Sequence, residues 1–425
     1  MKSKKFVLAG LVLLAITGLL ALAGCKNDSV PESPAAKLVS ISVIPPTRTV
    51  YSVGQSFDPT GMKVTATYEG GKKQEVTGWT TDFGTVAAEK GLNKPVTVSY
   101  TEGETPKTTT FTVTVFPAEV KVLTGYTSPN NTDDSCTYVA FGEWPQTEAV
   151  NFNPTTTPQS HGIFDGNYYV EGNDKYVEKD SKYYKVEPIV WRVLTTSYEA
   201  PEGGTVGEIL LLAEKILTGG IPYYVDTSTR AITGAGTVYP NNWQYSTIRA
   251  WLNGSYEAND PQDTTYTNKG FLQTAFTESA QKLIADTSVD NSAASTIPSG
   301  ITDEDLESYW NSGENPYASD TPTKDKIFLL SEQEATNSEY GFAAYDAYGK
   351  GSTRIRVTTD YAKATEAYQS LTEGYGGWWW LRSPLFNNES LARGIYNNGI
   401  ADYHITVYIT YGGVVPALSI SLGGN

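Results

Sequence analysis

Three consecutive tryptophans, Trp378, Trp379 and Trp380, run into Leu381, Arg382, Ser383 and Pro384. No other feature restricts the fold as strongly. Indoles bury more apolar area than other side chains, and an adjacent guanidinium can stack on them or lock a turn by hydrogen bonds. A second rigid station, GGVVPAL, follows at 412–418, and the stretch between them is dense in Asn, Tyr, Ile and Thr. The two ends read as scaffold and the middle as display. One reading buries the cluster, with Trp379 inward, Arg382 bonded to a turn carbonyl and Pro384 closing the corner. The other makes the flat indoles a stacking platform for sugar rings. Strand alternation would place Trp378 and Trp380 on one face and Trp379 on the other, so the cluster could serve both purposes. Trp191 and Trp251 belong to the same scaffold set.

The amino terminus gives an address. Lys2, Lys4 and Lys5 precede a nearly continuous apolar run at 6–22, which ends in Leu22-Ala23-Gly24-Cys25. A basic start, an apolar core and small residues make a secretory signal over 1–24, with an uncleaved anchor as the alternative. The L-A-G-C sequence resembles the lipobox of bacterial lipoproteins, which implies lipid attachment at Cys25 and anchoring to a membrane through acyl chains. Residues 25–37 then read as a tether that reaches at most about 40 Å. The expected location is the cell envelope, lipid-anchored and extracytoplasmic.

The chain carries 31 basic and 47 acidic residues, a net charge of −16. Subtracting Lys2, Lys4 and Lys5 from the 31 leaves −19 against the same 47 acids. Such a charge repels phosphate backbones, so no nucleic-acid partner is expected. With 18% charged and 12% aromatic residues, the composition is that of a folded β-rich exterior protein and not of a disordered one. Only two cysteines occur. With Cys25 lipidated, Cys136 has no partner and reads as a buried strand thiol.

Residues 38–117 form one compositional block. Alternating runs at 38–43, 50–54, 62–68, 76–79, 96–100 and 110–116 are separated by Pro45-Pro46 and by a hairpin signal at Glu69, Gly70, Gly71 and Lys72. Short alternating strands with Gly and Pro turns predict a β-sandwich. The pattern Y-x-V-G-x-x-F-D-x-T-G-x-x-V at 51–64 is similar to the bacterial immunoglobulin-like domain of surface proteins. That resemblance implies a spacer or adhesive module.

Residues 120–425 read as a second, α+β unit. Strands are expected at 138–144, 189–194, 209–213 and 327–330. Helices are expected after the caps Ser246, Thr277 and Ser331, the second of them over 278–284, and again over 361–371. Ile248, Trp251 and Leu252 form an inward stripe closed by Gly254. The polar stretches 150–185, 255–270, 290–325 and 336–358 read as long surface insertions. The stations FGEWPQ, PIVWRVL, LLLAEKIL, NWQYSTIRAWLN, FLQTAFTESAQKLI, KIFLLSEQEA, WWWLRSP and VVPALSI together resemble an uncharacterised domain family of secreted and lipid-anchored bacterial proteins. Val415 stands where that family usually carries an Arg. The unit also resembles the C-type-lectin-like fold of formylglycine-generating enzymes, so the fold class implied for the chain is an all-β immunoglobulin-like sandwich followed by an α+β lectin-like domain.

Little points to catalysis. The redox cysteine pair of formylglycine-generating enzymes is missing from the C-terminal unit. Glu314-Asn315-Pro316 and Trp310-Asn311-Ser312 depart from the E-P-N and W-N-D motifs of calcium-dependent lectins. The two histidines, His161 and His404, lie in a loop and in the display segment, and no G-x-S-x-G elbow occurs. No enzyme, cofactor or metal site is expected. Residues 385–413 are the best binding candidate, because Tyr supplies rigid amphipathic area and Asn adaptable hydrogen bonds. The candidates are Phe386, Asn387, Asn388, Tyr396, Asn397, Asn398, Asp402, Tyr403, His404 and Tyr408. The segment holds no Lys, Gln, Met, Trp or Cys. In this it resembles the variable cassettes of retroelement-diversified proteins, whose randomised AAY codons never encode Lys, Gln, Glu, Met or Trp; Glu389 would then be a fixed position. An ordinary β-rich surface is the alternative. The expected function is non-catalytic binding or display of an external protein or glycan. The alternatives are a structural envelope protein without a specific ligand and a degenerate enzyme of the formylglycine-generating type.

Overall fold

The structure, a computed structural model, describes residues 36–130, 136–160, 167–198, 208–232, 236–254, 266–301, 315–347 and 353–422. The signal segment, Cys25, most of the tether, His161, Trp310, Asn311, Ser312 and Glu314 lie outside the described residues. Among the described residues no helix is long and apolar enough to cross a membrane.

The first unit is the expected two-sheet sandwich. Leu38–Ile44, Lys63–Tyr68 and Lys73–Glu75 form one antiparallel sheet. Val50–Ser52, Lys107–Phe116, Gly91–Tyr100 and Thr80–Thr81 form the other. Alternation sends Ile41, Val64, Ala66, Val96, Val98, Phe111 and Val113 into a shared core. Tyr51 lies there too, edge-on to Phe83 at 4.6 Å, and its hydroxyl finds the Arg48 carbonyl at 3.0 Å. The 76–79 run is not a strand. Gly78 takes φ 80°, which breaks the extended backbone between Glu75 and Thr80.

The second unit is built on a nine-stranded sheet. Its spine is Lys182–Tyr198, paired on one side with Tyr138–Glu148 and on the other with Asp174–Lys179 and then Glu208–Ala213. Every residue of Glu208–Ala213 is buried, and this strand pairs with Ala417–Ser421 near the carboxyl end. Tertiary structure therefore needs the last residues of the chain to complete the core. Residues 150–185 are in part sheet and not a loop insertion. Asn167–Glu171, Asp174–Lys179 and the start of the spine form a meander, with Asp180 (φ 51°) and Ser181 (φ 60°) as a two-residue turn. Cys136 is half-buried and free, ahead of the Tyr138–Glu148 strand and not inside it.

Strands dominate, and the longest helix among the described residues has seven residues, Thr247–Asn253. Ser246 accepts from the Arg249 amide at its start and Gly254 ends it in the left-handed region, while Ile248, Trp251 and Leu252 pack inward. The helix after Thr277 covers only Glu278–Gln281. The last helix covers only Asp360–Ala364, because Glu366 adopts φ 76° and cannot continue the turn. The strand expected at 327–330 is Ile327–Phe328.

Candidate binding site

A three-stranded antiparallel sheet carries the candidate site: Trp379–Pro384, Leu391–Ile395 and Tyr403–Thr406. Its first strand is entirely buried. Trp378, Trp379 and Trp380 expose 3%, 0% and 0% of their surface. No indole face is open to a ligand, so the sugar-platform reading of the tryptophans is corrected. Alternation still holds, since Trp378 and Trp380 meet edge-on at 5.8 Å while the Trp379 indole N–H donates to the Arg354 carbonyl at 3.1 Å. Gly412 completes the packing: a Cβ there would come within 2.2 Å of the Trp380 indole nitrogen. Val415 is fully buried in this core, an apolar residue where the resemblance implied a cation.

Two buried ion pairs hold this sheet to one turn of helix, Glu332–Ala335. Ser331 and Glu334 form its capping box. Arg382 donates through Nη1 to Glu334 Oε2 and to the Leu329 carbonyl, and through Nε and Nη2 to the Asp290 carbonyl. Burial alone would raise the Glu334 pKa, but Arg382, the Ser331 amide and the Tyr198 hydroxyl hold it below the usual carboxylate value. Arg393, on the second strand, reaches Glu332 Oε2 with Nε at 3.0 Å and Asp402 Oδ1 with Nη1 at 2.6 Å. Arg393 stands opposite His404 in the register.

Arg393, held by its two carboxylates, forms the floor of an open cleft of about 440 Å³. Leu385, Phe386 and Leu391 give it apolar walls, and Asn387, Asn388, Asp402 and His404 give it a polar rim over Arg393. Asn387, Asn388, Asp402 and His404 are exposed, whereas Arg393 is buried. The loop that carries the two asparagines is clamped from beneath. Asn241, fully buried, donates from Nδ2 to the carbonyls of Asn388 and Leu391 at 3.1 and 3.0 Å, and its own amide donates to the Glu389 carbonyl.

A strip of phenols adjoins the cleft. Tyr403 lies 4.5 Å from Tyr396 between ring centroids and 6.4 Å from the His404 ring that lines the cleft. Trp378 backs the strip, 6.1 Å from Tyr403 and 5.3 Å from Tyr411. Burial raises the Tyr403 pKa, and the neighbouring Tyr396, Tyr411 and Tyr368 hydroxyls add to the shift.

The structure thus gathers Phe386, Asn387, Asn388, Asp402 and His404 in one cleft, with Tyr396 and Tyr403 beside it. Asn397 is a correction: it is 7% exposed, and its carbonyl accepts from the Gly376 amide. Asn398 is half-buried, and its Oδ1 accepts from the Ile400 amide. Tyr408 is 51% exposed but does not line the cleft. Asn315 is buried and donates to the Pro384 carbonyl, so its role is to hold the Trp corner. Sequence reasoning missed Arg393, Glu332, Asn241 and Tyr368. The only signal for Arg393 was a cation inside an otherwise small and apolar L-A-R-G-I run. Among the described residues no group of three or more His, Cys, Asp or Glu side chains could hold a metal ion.

The fold defines a two-unit, β-rich protein whose carboxyl-terminal unit closes on its own last strand and presents a small cleft. Residues 206–422, half of the chain, match the family described as Domain of unknown function (DUF6273), and the chain belongs to that family. Residues 44–115 match the Bacterial Ig-like domain (group 3), a module that points to an extracellular or surface protein. No curated protein and no solved structure matches the chain.

Proposed function

We propose that this protein is a cell-envelope lipoprotein, held by lipid at Cys25, whose C-terminal lectin-like domain binds an external protein or glycan without catalysis. The observation that supports this most is the cleft between residues 385 and 404. Its rim is exposed and polar, while beneath it the buried Arg393 is paired with the buried Glu332 on one side and with Asp402 of the rim on the other. Binding sites are commonly concave, with a few fixed polar groups among apolar walls. A rim held from beneath loses less conformational freedom on binding. The sandwich would serve as a stalk that lifts this face from the membrane.

The test is an array of glycans and extracellular-matrix proteins probed with the full chain. Specific binding that drops at least ten-fold in Asp402→Ala and in His404→Ala supports the reading. Binding that survives both substitutions, or an inert chain across the array, leaves the structural-envelope alternative in its place.

A further inference from the structure

We infer that the ligand is a neutral oligosaccharide, one ring of which sits in the cleft against Asn387, Asn388 and Asp402 while the next lies on the Tyr403–Tyr396 strip. This inference rests on the binding reading above and narrows it to one chemistry.

Charge comes first. The guanidinium of Arg393 is already matched by two carboxylates, Glu332 and Asp402. The cleft therefore has no surplus cation for a uronate, sialate, sulfate or phosphate group, and the chain as a whole carries −16. A neutral polyol needs the opposite provision, planar acceptors and donors with fixed directions. Asp402 meets this, because Arg393 pins one carboxylate oxygen while the side chain stays 54% exposed. Asn387 and Asn388 add amides on a loop immobilised by Asn241.

Size and surface type point the same way. A cleft of about 440 Å³ is in the range of small-molecule sites, not of protein interfaces, which cover wide flat areas. Between residues 385 and 413 the exposed large hydrophobic side chains are all tyrosines, Tyr396, Tyr408 and Tyr411. Protein hot spots are enriched in Trp, Arg and Tyr, and of these three only Tyr is exposed between 385 and 413. Phenol faces instead suit a sugar, whose C–H patches and hydroxyls alternate. The Tyr403 ring lies 6.4 Å from the His404 ring that lines the cleft, so a chain leaving the cleft past His404 would meet the strip with its second ring.

The experiment is native affinity electrophoresis of the full chain through gels holding yeast mannan, galactomannan, xylan or mixed-linkage β-glucan, with polygalacturonate and heparin as acidic arms. Retardation is expected in at least one neutral gel and in neither acidic one. Asp402→Asn and Tyr396→Ala, both at exposed positions, should weaken it at least ten-fold while the chain stays folded by circular dichroism at the assay temperature, and Val150→Ala runs as wild type. Free migration in all four neutral gels overturns the inference, as does retardation that ignores Asp402 and Tyr396 or appears only with the acidic polymers. If the chain instead binds a matrix protein through Asp402 and Tyr396, the sugar assignment falls and the binding reading stands. If it binds neither, both fall.

Discussion

Glu334 shows how a single residue can hold this architecture in place. It accepts from the Tyr198 hydroxyl at 2.8 Å, from the Ser331 amide at 2.9 Å and from Arg382, all in the interior. Removing one partner of a buried ion pair strands the other, at a typical cost of about 3–5 kcal/mol. Glu334→Gln should therefore lower stability by about 3 kcal/mol at pH 7, measurable by urea unfolding. The pH dependence has a definite sign. The folded pKa of Glu334 lies below its ordinary 4.5, so its contribution is complete above that pH and is lost as pH falls through the depressed value. Wild type should lose stability below pH about 4.5 more steeply than Glu334→Gln; equal slopes would remove this carboxylate from the account. The inward Trp379 and the carbonyl-bound Arg382 were legible in the sequence, because a large aromatic run with a cation has few other places to go. The partnership of Arg393 with Glu332 was not. Both residues looked like ordinary surface charges, and only the tertiary fold brings them together at 3.0 Å.

Loops and strands carry the next level of argument. The cleft is an element property, made where the 385–390 loop folds over the Tyr403–Thr406 edge strand. The Asn241 side chain donates to the Asn388 carbonyl of this loop and to the Leu391 carbonyl where the next strand begins, so Asn241→Ala should cost about 1–3 kcal/mol and weaken any ligand held by Asn387 and Asn388. A thermal melt and a binding isotherm on the same sample would check both effects. Unchanged affinity would mean that the loop orders itself without the clamp. Elements with strong alternation, such as Lys107–Phe116, and those with clear caps, such as Thr247–Asn253, were readable. Helix lengths were not, since Glu366 stops the last helix by backbone conformation and its side chain gives no warning. Asn387 and Asn397 make the same point for the site. They are one residue type in one segment, yet the first is exposed and the second is buried beside a tight turn. Irregular loops have no periodicity from which to tell them apart. The codon-diversification idea is tested at this scale as well: in sibling isolates, substitutions should concentrate at exposed positions such as Asn387, Tyr396, Asp402 and His404. An even spread over 385–413 would contradict it.

At the scale of the molecule, the sandwich and the C-terminal unit are joined by more than a linker. Ser52, 3% exposed, donates to the Val120 carbonyl at 2.6 Å and accepts from the Val122 amide at 2.8 Å, while Gln55 Nε2 donates to the Val122 carbonyl at 3.0 Å. Phe116 and Val120, fully buried, belong to the core of the second unit. Calorimetry of the full chain should show one cooperative transition. Ser52→Ala, which leaves a buried acceptor and a buried donor unmet, should cost about 1–3 kcal/mol and separate two transitions. Two transitions in the wild type would show that the units are independent. A stiff junction would suit the stalk role proposed for the sandwich. The most direct measurement on the central claim is hydrogen exchange of the full chain with and without the neutral polymer fragment that retards it most. The account predicts added protection confined to 385–391 and 396–411. Protection elsewhere, for instance at 218–221 and 361–366, with 385–411 unchanged, would contradict it.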